Sequence, residues 1–257
     1  MPNQKRKSSA PRNVIQGNRT LGRIGGRQAV FYNCRKAGGI IAAESPNERT
    51  VAQLADLDPR VVALQPQPFT VDVHSGALYT SREELEIARC TRVRVDATQR
   101  DYTPDFLLQL ADGQRIVVEV KDVRYPGDVC YISKVEKAKA ILKRRGHGFL
   151  TIAFRYEQTS PLVFNASVLS SEKNRDPQTL TPEDLSGQLD TLLCDTSAPL
   201  GHTMKALGLN MRTAAYFVLN GLLSANLHEE CLNVHTLVTV AGGSLTHLEL
   251  LPLEFKS

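Results

Sequence analysis

The sequence predicts an α/β protein in which a mixed sheet core with flanking helices is followed by a small C-terminal domain. Strand-like runs at 102–110 and 115–123 surround an Asp-Gly turn signal, which predicts a β-hairpin. Apolar residues at helical spacing, with capping residues, predict helices on both sides of this hairpin. A polar, proline-bearing stretch at 174–182 then separates the core from a second group of short helices. The expected organisation is a basic flexible arm at 1–27, a core domain at 28–170 and a C-terminal domain at 171–257.

Two helices and one extended segment are predicted before the hairpin. The first helix spans 46–57, where Pro46 suits the first helical position and Ser45 suits the N-cap. Residues 61–73 alternate like a strand, although two prolines restrict the middle to an edge or a bend. A second helix is predicted at 81–92, because its start carries a Ser-x-x-Glu capping box.

The elements after the hairpin also follow from periodicity and turn residues. We expect a helix at 131–145 and then a buried strand at 149–156. The C-terminal elements are predicted as helices at 181–193, 200–207 and 211–223 and strands at 234–240 and 245–251. Three helices followed by a two-stranded ribbon is the element order of a winged-helix domain.

Positive charge is concentrated at the N-terminus of the chain. Residues 1–43 hold nine Lys or Arg and no acid, although the net charge of the chain is only +4. Such an arm suits a polyanion, because each neutralised phosphate releases condensed counterions. A solvated tail is the alternative, and a solvated face is likewise the alternative for the basic helix at 131–145. The candidate DNA-binding residues are Lys5, Arg6, Lys7, Arg12, Lys137 and Arg144.

The sequence lacks the marks of several other classes of protein. No apolar run reaches the ~20 residues of a membrane helix, and the N-terminus lacks the apolar segment of a secretory signal. The five cysteines form no CxxC pair and the six histidines are dispersed, which argues against a disulfide framework or a zinc cage. There is no GxxxxGK[ST] phosphate loop and no GxSxG elbow. We therefore expect a cytoplasmic protein with reduced thiols and no membrane contact.

The predicted hairpin brings three charged residues together. Side chains two residues apart on a strand face the same side, so Glu119 and Lys121 project together. A turn centred on Asp112 pairs residues at equal distances from it, which puts Asp105 opposite Glu119. The sequence thus predicts two carboxylates and one ammonium group on a small patch of the sheet.

This patch has the chemistry of a metal-dependent phosphodiesterase. Two close carboxylates repel each other, and a hard divalent cation such as Mg²⁺ or Mn²⁺ relieves the repulsion. The backbone carbonyl of Val120 is a further candidate ligand. A bound cation can acidify a water and stabilise charge during in-line cleavage, while Lys121 orients that water or supports the transition state. The alternative is an ordinary half-exposed edge strand.

Two upstream residues are further candidates for the site. Glu48 lies in the first turn of the predicted helix, where the helix dipole favours an anion. Glu44 precedes this helix and is the weaker candidate. Gln67 could orient a water or touch the metal site from the preceding strand. The alternatives are a helix-start carboxylate for Glu48 and an edge-strand amide for Gln67.

Pro104-Asp105-Phe106, followed by Glu119-Val120-Lys121, resembles the PD-(D/E)xK nuclease signature. A closer resemblance, over about residues 20–155, is to TnsA, the family of endonuclease subunits of heteromeric cut-and-paste transposons. The matching segments are Ser45 to Glu48, Leu54 to Val61, Gln67-Pro68, Tyr102 to Phe106 and Glu119 to Lys121.

The resemblance implies a fold, an activity and partners. It implies a restriction-endonuclease-like core and a winged-helix-like C-terminal domain in a bacterial protein. The implied activity is Mg²⁺-dependent cleavage of double-stranded DNA near the 5′ ends of a transposon, with two metal ions expected. A TnsB-like transposase and a TnsC-like AAA+ regulator are the implied partners. Carried onto this chain, the catalytic residues are Glu48, Asp105, Glu119 and Lys121, and the three acids hold the metal ions.

Two other functions remain open from the sequence. The chain could be another nuclease with the same core, such as a restriction or junction-resolving enzyme, which would cut DNA without a partner. It could also be a non-catalytic DNA-binding or assembly module that retains the site as a relic. The absence of divalent-metal binding would favour this second alternative.

Overall fold

A four-stranded sheet with a helix on each face organises the N-terminal part of the mixed α/β fold. The computed structural model describes residues 13–18, 29–92, 100–173, 182–193 and 196–253. The strands of this part are β1 (Val30–Cys34), β2 (Gly39–Ala43), β3 (Val61–Pro66), β4 (Thr70–Asp72), β5 (Leu78–Tyr79), β6 (Asp101–Tyr102), β7 (Phe106–Leu110), β8 (Arg115–Lys121) and β9 (Gly148–Ala153). Its helices are α1 (Pro46–Leu57), α2 (Arg82–Thr91), α3 (Val129–Arg144) and α4 (Pro161–Lys173).

The main sheet confirms the predicted hairpin and its register. Its strand order is β3-β7-β8-β9, with β3, β7 and β8 antiparallel and β9 parallel to β8. Phe106 pairs with Val118 and Leu107 with Val117, so paired residues are equally distant from Asp112 as predicted. The turn is closed by Gly113, whose φ of 88° suits a residue without a Cβ.

The two faces of this sheet pack against different helices. Ile116, Val118 and Val120 belong to the core cluster that includes α1, whereas Val117 belongs to the cluster that includes α3. Because side chains alternate along a strand, Glu119 and Lys121 lie on the same side as Val117, which is the α3 side. This alternation agrees with the pattern read from the sequence.

Both predicted helices before the hairpin are confirmed with their caps. The Ser45 side chain accepts a hydrogen bond from the Glu48 N–H and begins α1 at Pro46. A complete capping box between Ser81 and Glu84 begins α2. Both boundaries follow from local side-chain chemistry, which explains why the sequence predicts them.

Two segments predicted as single strands are each divided between two sheets. The run 61–73 forms β3 and β4, and the run 102–110 forms β6 and β7. Strands β3 and β7 pair in the main sheet, while β4 pairs with β5 and β6 in a second, three-stranded sheet. Proline has no N–H to donate to a ladder; Pro66 is the last residue of β3, and the two breaks contain Pro68 and Pro104.

Three other expectations for this part need correction. The helix at 131–145 begins earlier, at Val129, because the Asp128 side chain caps it by accepting from the Tyr131 N–H. The second hairpin strand ends at Lys121 rather than at Val123. The strand predicted at 149–156 spans Gly148–Ala153, and it is half-buried rather than buried, because among the described residues β9 is the last strand of its sheet.

The C-terminal part combines short helices with a three-stranded sheet. Its elements are α5 (Pro182–Leu193), β10 (Ala198–Pro199), α6 (Leu200–Ala206), a 3₁₀ turn (Met211–Thr213), α7 (Ala214–Leu219), β11 (Leu223–Ala225), β12 (Leu237–Val240) and a 3₁₀ turn (Thr246–Leu248). The strand order is β10-β12-β11, and both pairs are antiparallel.

Several predicted bounds of this part are wrong. The helix predicted at 211–223 ends at Leu219, because Gly221 adopts a φ of 66° and leads into β11. The strand predicted at 234–240 is only Leu237–Val240. The strand predicted at 245–251 is absent from the described chain, where Thr246–Leu248 forms a 3₁₀ turn instead. The ribbon partner of β12 is therefore β11, which precedes it in the chain, and not the segment predicted after it.

One hydrophobic cluster runs through both parts of the chain. Helix α4, which spans the predicted boundary at 170/171, contacts α1 on one side and α7 on the other. The buried side chain of Asn165 on α4 donates to the carbonyls of Leu227 and Glu230 and accepts from the Leu232 N–H. None of the helices in the described residues is both long enough and apolar enough to cross a membrane.

Candidate active site

The predicted catalytic residues line one cleft of about 860 Å³. Glu48 comes from the start of α1, Asp105 from the residue before β7, and Glu119 and Lys121 from the end of β8. Val120 and Glu44 line the same cleft. The antiparallel hairpin and the helix start are thus the elements that bring these residues together.

Asp105 is fixed to the hairpin by its own carboxylate. Its Oδ2 accepts a hydrogen bond of 2.8 Å from the backbone N–H of Val120. The side chain is only 8% exposed, and Val120 is 7% exposed, so this bond lies away from bulk water. Buried N–H groups need a partner, and Asp105 supplies one at the end of the hairpin. The bond holds the Asp105 carboxylate beside the strand that carries Glu119 and Lys121.

Glu119, near the end of β8, has two tyrosines and a lysine as partners. The Tyr102 hydroxyl donates to its Oε2 at 2.7 Å, and the Tyr131 hydroxyl donates to its Oε1. Lys121 Nζ lies 2.9 Å from the same Oε1. Burial, and next the negative charge of Glu119, hold the pKa of the Tyr102 hydroxyl well above its ordinary value. Tyr102 therefore stays protonated and remains a donor.

Glu48 is directed toward the start of its own helix. Its Oε2 accepts from the Glu44 N–H at 2.8 Å, and its Oε1 accepts from the Ser45 hydroxyl at 3.0 Å. Ser45 in turn accepts from the Glu48 N–H, so the pair forms a reciprocal cap. The predicted helix-start carboxylate is therefore present, and it also lines the cleft.

Gln67 forms hydrogen bonds with two other candidate residues of the site. It is buried and has a φ of 41°, which side-chain-bearing residues seldom adopt. Its backbone N–H donates to the Asp105 carbonyl at 2.8 Å, and its Nε2 donates to Glu44 Oε1 at 3.2 Å. A Cβ on Gly17 would lie 2.6 Å from Gln67 Cβ, so only glycine fits against it. These two hydrogen bonds from Gln67 hold Asp105 and Glu44 in position.

The oxygen donors of the cleft fit a hard divalent cation by their chemistry. Carboxylates of Glu48, Asp105 and Glu119, together with a strand carbonyl at Val120, are the ligands that Mg²⁺ or Mn²⁺ prefers. In the part of the chain that the structure describes, no three Asp, Glu, His or Cys side chains lie close enough together to hold a metal ion. The carboxylates of Glu48 and Glu119 instead accept hydrogen bonds from protein donors.

Two contacts of the site were not expected from the sequence. Tyr131 comes from the first turn of α3, and nothing in its local pattern indicates a contact with Glu119. Its ring also lies under two ammonium groups, with Lys121 Nζ at 4.0 Å and Lys134 Nζ at 5.4 Å from the ring centre. Tyr102 belongs to the Tyr-x-Pro-Asp-Phe segment, and that motif was the available signal for it.

The predicted DNA-binding residues have mixed outcomes. Lys137 and Arg144 are exposed on α3, as a surface contact with phosphate requires. Lys5, Arg6, Lys7 and Arg12 lie outside the described residues. Within the basic region 1–43, Lys36 is not a surface cation, because its Nζ donates to the carbonyls of Ala55 and Asp58.

No protein-family model matches the chain, and no curated protein matches it either.

Proposed function

We propose that this chain is a Mg²⁺-dependent DNA endonuclease, and that it acts as the TnsA-like subunit of a cut-and-paste transposase. The supporting observation is the convergence of Glu48, Asp105, Glu119 and Lys121 on one cleft. Such residue types in such a cleft suit in-line hydrolysis of a phosphodiester.

In the proposed reaction, the candidate residues act as metal ligands, as a positive charge beside the phosphate, or as support for a ligand. Asp105, Glu119 and Glu48 hold the cations, with the Val120 carbonyl as an additional ligand. A bound Mg²⁺ supplies Lewis-acid stabilisation of the phosphate and acidifies a water. Lys121 places a positive charge beside Glu119, where it orients the attacking water and offsets charge on the phosphate. Gln67 keeps Asp105 in position through its backbone.

The finer fold assignment is part of the same proposal. A sheet with an antiparallel hairpin, a parallel edge strand and a helix on each face supports a restriction-endonuclease-like core. In the C-terminal part, the order α5, β10, α6, α7, β11, β12 supports a winged-helix-like domain. A TnsB-like transposase and a TnsC-like AAA+ regulator are the proposed partners, and double-stranded transposon-end DNA is the proposed substrate.

Cleavage of end-labelled duplex DNA in Mg²⁺ or Mn²⁺ tests the activity. We expect Glu119→Gln and Lys121→Ala to abolish cutting, because the first removes a metal ligand and the second removes the supporting charge. Glu86→Gln is the matched control, since Glu86 lines the same cleft but is exposed and pairs with Arg89. Cutting by Glu119→Gln at the wild-type rate would contradict the assignment.

The same assay separates the transposase subunit from an autonomous nuclease. Cutting of transposon-end DNA that requires a TnsB-like transposase supports the first. Cutting of unrelated DNA by the chain alone supports a restriction or junction-resolving enzyme instead.

A non-catalytic DNA-binding module is the second candidate, and one observation favours it. Both carboxylate oxygens of Glu119 accept hydrogen bonds from tyrosine hydroxyls, as in a site that serves only structure. Such a module would bind DNA without cutting it, and Mg²⁺ would weaken its binding only as a competing counterion and never strengthen it. Electrophoretic mobility shifts with and without Mg²⁺ distinguish this outcome from the nuclease.

A further inference from the structure

We propose that the two tyrosines on Glu119 have opposite effects on metal binding: Tyr102 orients the carboxylate for the cation, and Tyr131 competes with the cation for it. The inference depends on the proposed metal-dependent function and adds two residues to that site. Both side chains donate a hydroxyl to the same carboxylate, so the loss of either removes the same kind of bond. Their surroundings differ, and this difference sets the sign of each effect.

Tyr102 lies in a rigid environment. It is 2% exposed and lies on β6, where it pairs with Val71. Its ring packs near Phe149, with ring centres 6.3 Å apart. Its hydroxyl donates to Glu119 Oε2 at 2.7 Å and makes no bond to the second oxygen, Oε1. A donor held this firmly fixes one carboxylate oxygen and thereby presents the other to the cleft.

Tyr131 comes from a more exposed part of the chain. Residues 123–130, which lead into it, are all exposed to solvent. Its own side chain is half-buried and lines the cleft. Tyr131 can therefore leave Glu119 by a movement of the start of α3, whereas Tyr102 cannot move without disturbing the core.

Oε1 of Glu119 is the atom for which the groups compete. It accepts from the Tyr131 hydroxyl and lies 2.9 Å from Lys121 Nζ. A carboxylate oxygen has two lone pairs, and these two donors occupy both. A divalent cation can bind this oxygen only after one of them leaves. In this proposal the Tyr131 hydroxyl is the donor that leaves, because the segment before Tyr131 is exposed, whereas the backbone of Lys121 belongs to β8.

Gly127, in the segment before α3, packs closely against the ring of Tyr131. Its φ is 100°, and a Cβ placed there would lie 2.7 Å from Tyr131 Cδ1. Only glycine accepts this conformation and this contact without a shift of the ring. An alanine at this position would displace the Tyr131 ring and so disturb its bond to Glu119.

Titration calorimetry with Mn²⁺ on the full chain tests the proposal. We expect Tyr131→Phe to bind Mn²⁺ about tenfold more tightly than wild type, because a hydrogen bond to a charged group no longer competes. We expect Tyr102→Phe to bind about tenfold more weakly, because Oε2 loses its anchor. Tyr125→Phe is the control, since Tyr125 lies on the same loop and is 66% exposed; it should bind like wild type.

A spectroscopic readout reports the movement of Tyr131 independently of affinity. The chain contains no Trp, so its near-ultraviolet absorbance comes mainly from Tyr. Addition of Mg²⁺ should give a tyrosine difference spectrum in wild type and in Tyr102→Phe at saturating metal. Tyr131→Phe should lose the part of this signal that comes from Tyr131, while Tyr102, which stays bonded to Glu119, still contributes. Circular dichroism checks that each variant is folded.

The outcomes separate this inference from the proposed function. If wild type binds Mn²⁺ and Asp105→Asn binds it more weakly, the proposed metal site is supported. In that case, Mn²⁺ binding by Tyr131→Phe that is equal to or weaker than wild type would contradict the competition between Tyr131 and the cation. Weaker binding by both tyrosine variants would mean that both hydroxyls only position Glu119. If wild type binds no Mn²⁺ and Tyr131→Phe binds none, the competition is wrong and the proposed nuclease fails with it.

Discussion

Asp105 carries two separable functions, and paired substitutions distinguish them. Its carboxylate accepts the buried N–H of Val120 and is also a proposed metal ligand. Asp105→Asn keeps an acceptor oxygen at this place but removes the negative charge. Asp105→Ala removes both. We expect the first variant to lose metal-dependent cutting while it stays folded, and the second to lose both activity and stability.

The structure gives the size of the expected effects. Removal of the acceptor leaves the Val120 N–H buried without a partner, which costs about 1–3 kcal/mol of the free energy of unfolding. The neutral amide of Asp105→Asn keeps a weaker bond and should cost about 1 kcal/mol or less. For cutting, the loss of a metal ligand should exceed the ~10–100-fold loss typical of residues that only support a ligand.

Urea denaturation measures the stability of each variant, and cleavage of labelled duplex DNA in Mg²⁺ measures activity. Asp112→Asn is the matched control, because Asp112 lies exposed in the turn of the same hairpin and the substitution is the same. Equal destabilisation by Asp105→Asn and Asp105→Ala would refute the hydrogen-bond argument. Wild-type cutting by Asp105→Asn would refute the requirement for its charge.

Three further predictions concern charges elsewhere in the chain. Asp72 is buried and accepts from Arg100 Nε at 2.8 Å; although burial raises its pKa, the bond from Arg100 holds this pKa below its ordinary value. Asp72→Asn should therefore cost about 1–3 kcal/mol in urea denaturation, because a hydrogen bond between charged groups is lost. The contribution of Asp72 to stability should disappear as the pH falls below the ordinary aspartate range, and a variant that loses as much stability in acid as wild type would contradict this. Burial, and next the charge of Lys173, lower the pKa of Lys36 from its ordinary 10.5 to about 8, so its ¹³Cε resonance should titrate near pH 8. The free energy of unfolding should therefore rise as the pH increases from about 8 toward 10.5, where only the unfolded chain still holds this proton. A titration midpoint near 10.5 would argue against burial of the Lys36 charge. Lys137→Gln together with Arg144→Gln should weaken DNA binding for all sequences and reduce the slope of log affinity against log salt by about 1 for each phosphate that is no longer neutralised, as measured by fluorescence anisotropy; an unchanged slope would assign both residues to a merely solvated face.

Local chemistry explains which parts of the fold the sequence predicts. The start of α1 follows from Ser45 and Pro46, and the start of α2 follows from its capping box, because a cap involves only neighbouring residues. The register of the hairpin follows from the Asp-Gly turn, which fixes every pair beyond it. The relation between Asp105 and Glu119 depends only on that register, so this half of the site was predictable.

Long-range contacts explain the error in the C-terminal sheet. The segment predicted as a strand at 245–251 forms a 3₁₀ turn, and its core side chains pack into the common cluster without pairing. Residues 223–225 complete the sheet instead, because β12 finds its partner in the segment that follows α7. An alternating apolar pattern in the sequence looks the same whether the segment pairs as a strand or packs as a turn. The outcome depends on whether a neighbouring strand is present to pair with it.

The sequence by itself determined that Asp105, Glu119 and Lys121 lie together on one hairpin, and that Glu48 lies in the first turn of a helix. These relations are set by the two-residue period of a strand, the turn and the helix cap, all of which act over a few residues. Only the tertiary structure decided that Tyr102 and Tyr131 both bond to Glu119, because one arrives from a second sheet and the other from a helix that follows β8 in the chain. Contacts between such separate elements depend on how the elements pack, which no local pattern encodes.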